Sequence, residues 1–286
     1  MTKYLQGKDI AKRIKSRVEE ELEELSVPVK MVSVLATHNE ASCYYAESQR
    51  KAFAQLGIAF QIHRISSSSS EEEVIEKIVE LNEDRNVTGI LLVMPLPKGV
   101  NPYHVRKAIS PLKDVEGITP TNMGKLFYGD FSVAPCTAKA VWLLLQETNV
   151  PMAGKEAVVI SHSEIVGKPL LSMLLHSPTG SPTVTCCHIA TRDLKKHTRS
   201  ADIVIAAAGK AGLVTGDMLK PGAILIDVGI NLVQDPLTKT SRVVGDVNPS
   251  SVEGIAAFLT PVPGGVGTVT TAVLLENCIR LVRRAE

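Results

Sequence analysis

The residues able to do chemistry fall in a few short stretches. Ala157-Val-Val-Ile-Ser-His-Ser-Glu-Ile-Val-Gly-Lys-Pro-Leu-Leu reads as a buried strand, a polar turn and a helix beginning near Gly167. Such a turn aims backbone N–H groups and a helix N-terminus at one point, which suits a pyrophosphate. The G-x-G-x-x-G fingerprint is absent and many strand-turn-helix units bind nothing, so the turn alone decides little. Asp227-Val-Gly-Ile-Asn231 ends another strand with a glycine that permits close backbone approach, and Gly245-Asp-Val247 follows it. In an open parallel sheet ligands sit beyond the carboxyl ends of strands, where Ser161 to Ser163, Ala208-Gly209 and Gly229-Ile230 would converge. Tyr45 and Gln49 are four apart and share a helix face, although a tyrosine at that spacing is ordinarily half-buried packing.

Other chemistries find little support. The seven His (38, 63, 104, 162, 176, 188, 197) show no H-x-x-x-H, and no metal site is expected. Five Cys (43, 136, 186, 187, 278) include an adjacent pair but no C-x-x-C, which argues against a disulfide framework and for a reducing compartment. Neither a G-x-S-x-G elbow nor a Walker A loop occurs.

The elements that must position these residues alternate between β-rich apolar runs and helical patterns, which predicts βαβ units, an α/β fold and a mainly parallel sheet. Strands are expected at Met31 to Ala36, Ala59 to Ser66, Gly89 to Pro95, Ala157 to Ser161, Thr183 to His188, Ile203 to Ala207 and Ala223 to Val228. Helices are expected at Ala41 to Leu56, at Ser70 to Asp84 behind a serine cap with Glu71 to Glu73 in its first turn, and at Thr137 to Glu147. Asn149-Val-Pro-Met-Ala-Gly-Lys marks a boundary near 150. Pro261-Val-Pro-Gly-Gly-Val-Gly267 breaks the chain before a last amphipathic helix, Val269 to Arg283, expected to pack back on the first domain.

Composition sets the bounds. At about 150 residues per domain, a chain of this length suggests two domains, and there are 286 residues. Hydrophobic residues at 44% and charged residues at 21% exclude disordered, collagen-like and coiled-coil classes. A net charge of +1 offers no field to collect nucleic acid or an anionic membrane. No apolar run approaches the roughly 20 residues of a membrane span, so a soluble cytoplasmic protein is expected.

In order along the chain, several segments together resemble the methylenetetrahydrofolate dehydrogenase/cyclohydrolase family. They are Ala41-Ser42 with Tyr45, Gly89-Ile-Leu-Leu-Val-Met-Pro-Leu-Pro97, Lys113-Asp-Val-Glu-Gly117 with Asn122 and Gly124, Pro135-Cys-Thr137, Ile165-Val-Gly-Lys-Pro169, Asp227 to Asn231, Gly245 to Val247 and Thr260-Pro-Val-Pro-Gly-Gly-Val-Gly267. The resemblance implies two domains around a cleft, the second a Rossmann-like doubly wound parallel sheet, in a homodimer. It implies residues 1–148 with the returning helix 268–286 as the folate-binding domain, and 149–267 as the NAD(P)-binding domain. It also implies oxidation of 5,10-methylenetetrahydrofolate by hydride transfer to NAD(P)+, then hydrolysis of the methenyl product to 10-formyltetrahydrofolate.

Here the chain departs from the family where it matters. The family has Tyr-x-x-x-Lys on this helix, and the lysine serves the hydrolytic step; this chain has Gln49 there, and a neutral amide neither carries the charge nor exchanges the proton. Arg50 and Lys51 lie about 100° and 200° further round the helix and should face elsewhere. Val93 replaces the family's Gln, and Glu116 the second Asp of Asp-Val-Asp-Gly, thought to hold the pterin ring. Ala138, Ala140, Thr268 and Val269 also depart from the motifs. In the cofactor half the family's Gly-Arg-Ser turn is Ser161-His162-Ser163, while Ile189 and Ala190 follow Cys187-His188 where a Ser and a basic residue hold the 2′-phosphate of NADP. NAD is therefore favoured over NADP, with Arg192 or Lys195 as partial substitutes.

These departures predict a dehydrogenase whose cyclohydrolase step is lost or weak. The alternatives are a bifunctional enzyme in which Glu116 or an ordered water replaces the lysine, and a non-catalytic folate-binding paralogue. The expected catalytic residues are Tyr45, Gln49 and Glu116. The folate would also meet Leu92, Val93, Met94 and Pro263 to Gly267 (Pro263, Gly264, Gly265, Val266, Gly267), and the dinucleotide Ser161, His162, Ser163, Val166, Ile189, Ala208, Gly209, Gly229 and Ile230.

Overall fold

The computed structural model describes residues 1–176, 180–234 and 241–285. Its elements run β1 (Lys3–Tyr4), α1 (Gly7–Glu23), β2 (Lys30–Leu35), α2 (Glu40–Ala54), β3 (Ala59–Arg64), α3 (Glu71–Glu83), β4 (Gly89–Val93), α4 (Pro102–Ala108) and α5 (Pro120–Phe127). They continue as α6 (Cys136–Glu147), β5 (Glu156–Ile160), α7 (Gly167–Leu175), β6 (Thr183–Cys187), α8 (Leu194–Thr198), β7 (Ile203–Ala206) and β8 (Ile224–Asp227). The last are β9 (Asn231–Gln234), β10 (Ser241–Val244), α9 (Pro249–Val252), β11 (Phe258–Leu259) and α10 (Val266–Ala285). All seven expected strands form, each end within two residues of its expected place. Among the described residues no helix is long and apolar enough to cross a membrane.

Packing divides the chain into two compact units, residues 14–134 with 271–286 and residues 1–13 with 135–270. The sequence predicts a first domain over residues 1–148, with the α6 segment inside it. In the structure α6 packs on α7 and β8, and it groups with the second set of residues. Residues 271–286 of α10 group with 14–134.

The unit of residues 14–134 is built on a parallel sheet of order β3-β2-β4. Val32 and Val34 of β2 and Ile90 and Leu92 of β4 pack with Val74, Ile78 and Leu81 of α3 and Val105 of α4. Each such side chain contributes about 1.5–3 kcal/mol on leaving water. α3 starts where its capping box predicts: Ser70 Oγ accepts from Glu73 N–H and Glu73 carboxyl accepts from Ser70 N–H. β2 is joined to β3 on one side and β4 on the other, so the strand order reverses between β2 and β4, and that is where an α/β sheet opens a crevice at its carboxyl ends.

The other unit carries a six-stranded sheet, β1-β11-β8-β7-β5-β6, with every pairing parallel. Val158 and Ile160 of β5, Val204 and Ala206 of β7 and Leu225 of β8 are buried with Val252 and Leu259 in its core. β5 pairs with β6 on one side and β7 on the other, so its reversal lies between β5 and β7. β9 and β10 make a separate antiparallel ribbon.

Candidate functional site

Each unit places expected residues at its own strand-order reversal, and each is described by itself. At the carboxyl end of β2, Asn39 caps α2 by accepting from Ser42 N–H, and Ser42 Oγ donates to the Met94 carbonyl beyond β4 at 2.7 Å. That bond fixes the first turn of α2 against the end of β4, which explains Ala41-Ser42 at the head of the motif. One and two turns on, Tyr45 is half-buried and Gln49 is 2% exposed. Gln49 Nε2 donates to Thr271 Oγ1 at 3.3 Å, while its Oε1 meets no hydrogen-bond donor among the described residues. Arg50 and Lys51 are exposed, and Arg50 pairs with Glu47. Val93 and Leu92 are buried at the end of β4, and Leu92 belongs to the apolar core.

The backbone beside Glu116 is braced through Asp114. Asp114 bridges in parallel to Ile90, and its carboxyl oxygens accept from Ile118 N–H, Thr119 N–H and Asn122 Nδ2 at 2.8–3.1 Å. Gly117 has φ +69°, and a Cβ there would meet the Ala134 backbone at 2.9 Å, so only glycine fits. Burial pushes the Glu116 carboxyl up to about 8, with Asp114 adding to the effect and Arg106 opposing it. Asp114, Asn122 and Thr271 were not foreseen as supports; the first two lay in a quoted motif, but Thr271 is 222 positions from Gln49.

In the six-stranded unit, Ser161 and Ser163 follow β5. Ser163 Oγ accepts from Val166 and Gly167 N–H at 3.2 and 3.3 Å, closing the turn onto α7. A Cβ on Gly167 would lie 2.3 Å from the Ser161 carbonyl oxygen, so glycine lets strand and helix meet here. The imidazoles of His162 and His188 stack at 4.8 Å with 13° between planes, beyond the neighbouring ends of β5 and β6. The Ala190 N–H donates to His188 Nδ1 at 3.2 Å. Ile189 is fully exposed and Ile230 largely so. Lys195, a candidate for a 2′-phosphate, is paired with Asp217.

Two buried acids tie the strand-end turns together. Asp227 accepts from the N–H groups of Gly229, Asp246 and Val247 at 2.8–3.1 Å. Asp246 accepts from Ala208, Gly209 and Lys210 N–H at 2.6–2.8 Å and from Asn231 Nδ2 at 2.8 Å. Each carboxyl crosses the other's glycine: a Cβ on Gly245 would fall 1.7 Å from Asp227 Oδ2, and one on Gly229 would fall 2.3 Å from Asp246 Oδ1. Burial raises the Asp227 carboxyl to about 6, with Asp246 adding to the shift and the backbone N–H groups opposing it. Thr260 Oγ1 accepts from the Asp227 N–H, bringing in the segment Thr260 to Gly267. Gly265 is required there, since a Cβ would lie 2.6 Å from the Pro261 carbonyl oxygen. Pro263 to Gly267, expected beside folate, thus belong to the unit of the six-stranded sheet. Among the described residues no group of three or more His, Cys, Asp or Glu is placed to hold a metal ion.

Comparison with known proteins agrees with this arrangement. Residues 5–116 match the sequence model of the tetrahydrofolate dehydrogenase/cyclohydrolase catalytic domain, and residues 135–286 that of the NAD(P)-binding domain. A protein from Desulforamulus reducens named bifunctional protein FolD is 42% identical over 283 residues, 98% of this chain and 96% of its own length. The crystal structure of the bifunctional FolD enzyme from Campylobacter jejuni superposes with a TM-score of 0.91 at 36% identity, covering 100% of both chains. The enzyme of Trypanosoma brucei, solved with NADP and an inhibitor, gives 0.92 at 33% identity, covering 99% of this chain and 98% of its own.

Proposed function

The chain belongs to the tetrahydrofolate dehydrogenase/cyclohydrolase family, and from that premise we propose that it oxidises 5,10-methylenetetrahydrofolate with NAD(P)+ and then hydrolyses the methenyl product to 10-formyltetrahydrofolate. The observation that carries this is a full-length match to relatives named bifunctional. It favours the bifunctional reading over loss of the hydrolytic step, the outcome expected from Gln49. Hydride transfer needs chiefly that two rings be held in contact, a task of positioning. The turns at Ser161 to Ser163, Ala208-Gly209 and Gly229-Ile230 would carry the dinucleotide. From β5 to β8 they span two strand spacings, about 10 Å at about 4.8 Å each.

Hydrolysis needs a group that handles a proton near neutrality. Glu116, with its carboxyl raised to about 8, supplies one without the lysine. A dehydrogenase with little hydrolysis is the second reading, favoured by the buried neutral amide of Gln49. NAD is preferred to NADP in this proposal, because His162, Ile189 and Ala190 offer no fixed cation to a 2′-phosphate. A cytoplasmic homodimer completes it, on the resemblance alone. Purified protein supplied with 5,10-methylenetetrahydrofolate and either dinucleotide should give reduced cofactor and 10-formyl product, separated chromatographically. No reduction of either dinucleotide defeats the whole reading. Methenyl substrate decaying no faster than in buffer defeats only the hydrolytic half.

A further inference from the structure

We infer that Asp246 is a positioning residue for the dinucleotide, acting through the turn after β7; the inference rests on the dinucleotide reading of this unit. The turn Ala208-Gly209-Lys210, with Gly209 at φ +66°, directs three successive N–H groups to one point. Such a concavity is the kind that elsewhere takes a phosphate. Here it is filled from inside the protein: Ala208 and Gly209 N–H donate to Oδ2 of Asp246, and Lys210 N–H and Asn231 Nδ2 donate to Oδ1. Asp246 is 0% exposed, and Asp227 in turn holds its backbone N–H at 2.8 Å.

Two consequences follow. The phosphates of the dinucleotide are kept off the inner face of the 208–210 turn, because its donors are spent. The outer surface of the 208–210 turn, together with Asn231 beyond β8, takes its shape from one buried side chain on a third segment. That surface lies beside the β5–β7 reversal, where a dinucleotide would lie. Asp246 touches no substrate itself; it sets the backbone that does.

An amide cannot replace the carboxyl. Four donors converge on two oxygens, and an Asn side chain offers one oxygen and an NH2 that would face N–H groups in either orientation. In the full-length protein, Asp246→Asn should raise the KM for the dinucleotide tenfold or more while kcat at saturating dinucleotide stays within about threefold of wild type. A merely structural loss would lower the active fraction, and with it kcat, at unchanged KM; that result overturns the assignment. Should Asp246→Asn fail to fold, Asn231→Ala removes one donor and leaves the turn's backbone, and about a threefold rise in dinucleotide KM is expected. An unchanged KM in Asn231→Ala overturns the assignment equally. Calorimetric titration of the wild type with NAD+ and NADP+ separates the two levels: binding of neither dinucleotide removes the cofactor reading itself, and this assignment with it.

Discussion

Replacing Asp227 by Asn should change how stability depends on pH more than it changes stability at any one pH. In the folded protein burial raises the carboxyl from 3.8 to about 6. A shift of about two units at 1.36 kcal/mol each is about 3 kcal/mol. The folded state holds the proton more tightly than the unfolded chain, so this contribution is fully present below pH 3.8 and is lost as pH rises through about 6. Asn does not titrate and escapes that loss, but it carries a fixed cost. Gly229 and Asp246 N–H can still donate to its one oxygen, whereas Val247 N–H, now on Oδ2 at 3.1 Å, would face an NH2 group. An unsatisfied buried donor costs about 1–3 kcal/mol. Wild type should therefore be the more stable protein at pH 4.5, where about 2 kcal/mol of the contribution remains, and the gap should close or reverse by pH 7.5, a relative change of about 2 kcal/mol. At about 2–4 °C per kcal/mol for a unit of this size, the difference in Tm should move by roughly 4–8 °C. Calorimetric scans of both proteins across that range provide the assay. A gap independent of pH would refute the reasoning, and a gap that widens with rising pH would mean the backbone donors outweigh burial.

Three further outcomes are expected. Gly245→Ala places a methyl 1.7 Å from Asp227 Oδ2 and should cost at least about 3 kcal/mol, read by denaturant unfolding, because neither strand end can yield without breaking the paired carboxyl bonds. Glu116→Gln should slow methenyl hydrolysis about 100-fold and abolish the wild-type decline in rate as pH rises through about 8, both visible in a pH–rate profile; an unchanged profile assigns the proton to another group. Gln49→Lys should raise hydrolysis tenfold or more in the methenyl decay assay, since it supplies a titrating amine at a 2% exposed position; no gain would mean the surroundings of residue 49 no longer support that chemistry.

The strands were legible because both sheets are parallel and their central strands are buried on both faces, leaving continuous apolar runs such as Gly89–Val93 and Ile203–Ala206. The start of α3 was legible because its cap is local chemistry within four residues. α1 was passed over, although Ile10, Ile14 and Val18 recur every four residues and are all buried; its many charges hid a narrow stripe. The two-residue strands β1 and β11 carry no signal of their own, since each is defined by a partner more than 30 positions away. The split before α6 was hidden because Asn149 to Lys155 looks like a linker, and only packing shows that α6 goes with α7 and β8.

The candidate sites divide along the same line. In the six-stranded unit the proposed cofactor surface is mostly backbone: glycines 167, 229 and 245 are fixed by steric contacts, and the donors of three turns are gathered by Asp227 and Asp246. Spacing and residue type suffice to flag such a frame, although the exchange of carboxyls across glycines 229 and 245 needs coordinates to be seen. In the other unit the proposed chemistry rests on a few side chains, Tyr45, Gln49 and Glu116, whose meaning depends on what surrounds them. Gln49 illustrates this. Its type alone argues against proton transfer, its position puts it on the helix that Ser42 ties to β4, and its free Oε1 leaves an acceptor that a substrate or a water must satisfy. In the proposed reading the departures from the family pattern at Gln49, Val93 and Glu116 bear on hydrolysis, while hydride transfer rests on the backbone frame of the other unit. On that reading the hydrolytic step is decided by a few side chains on α2, at the end of β4 and between α4 and α5.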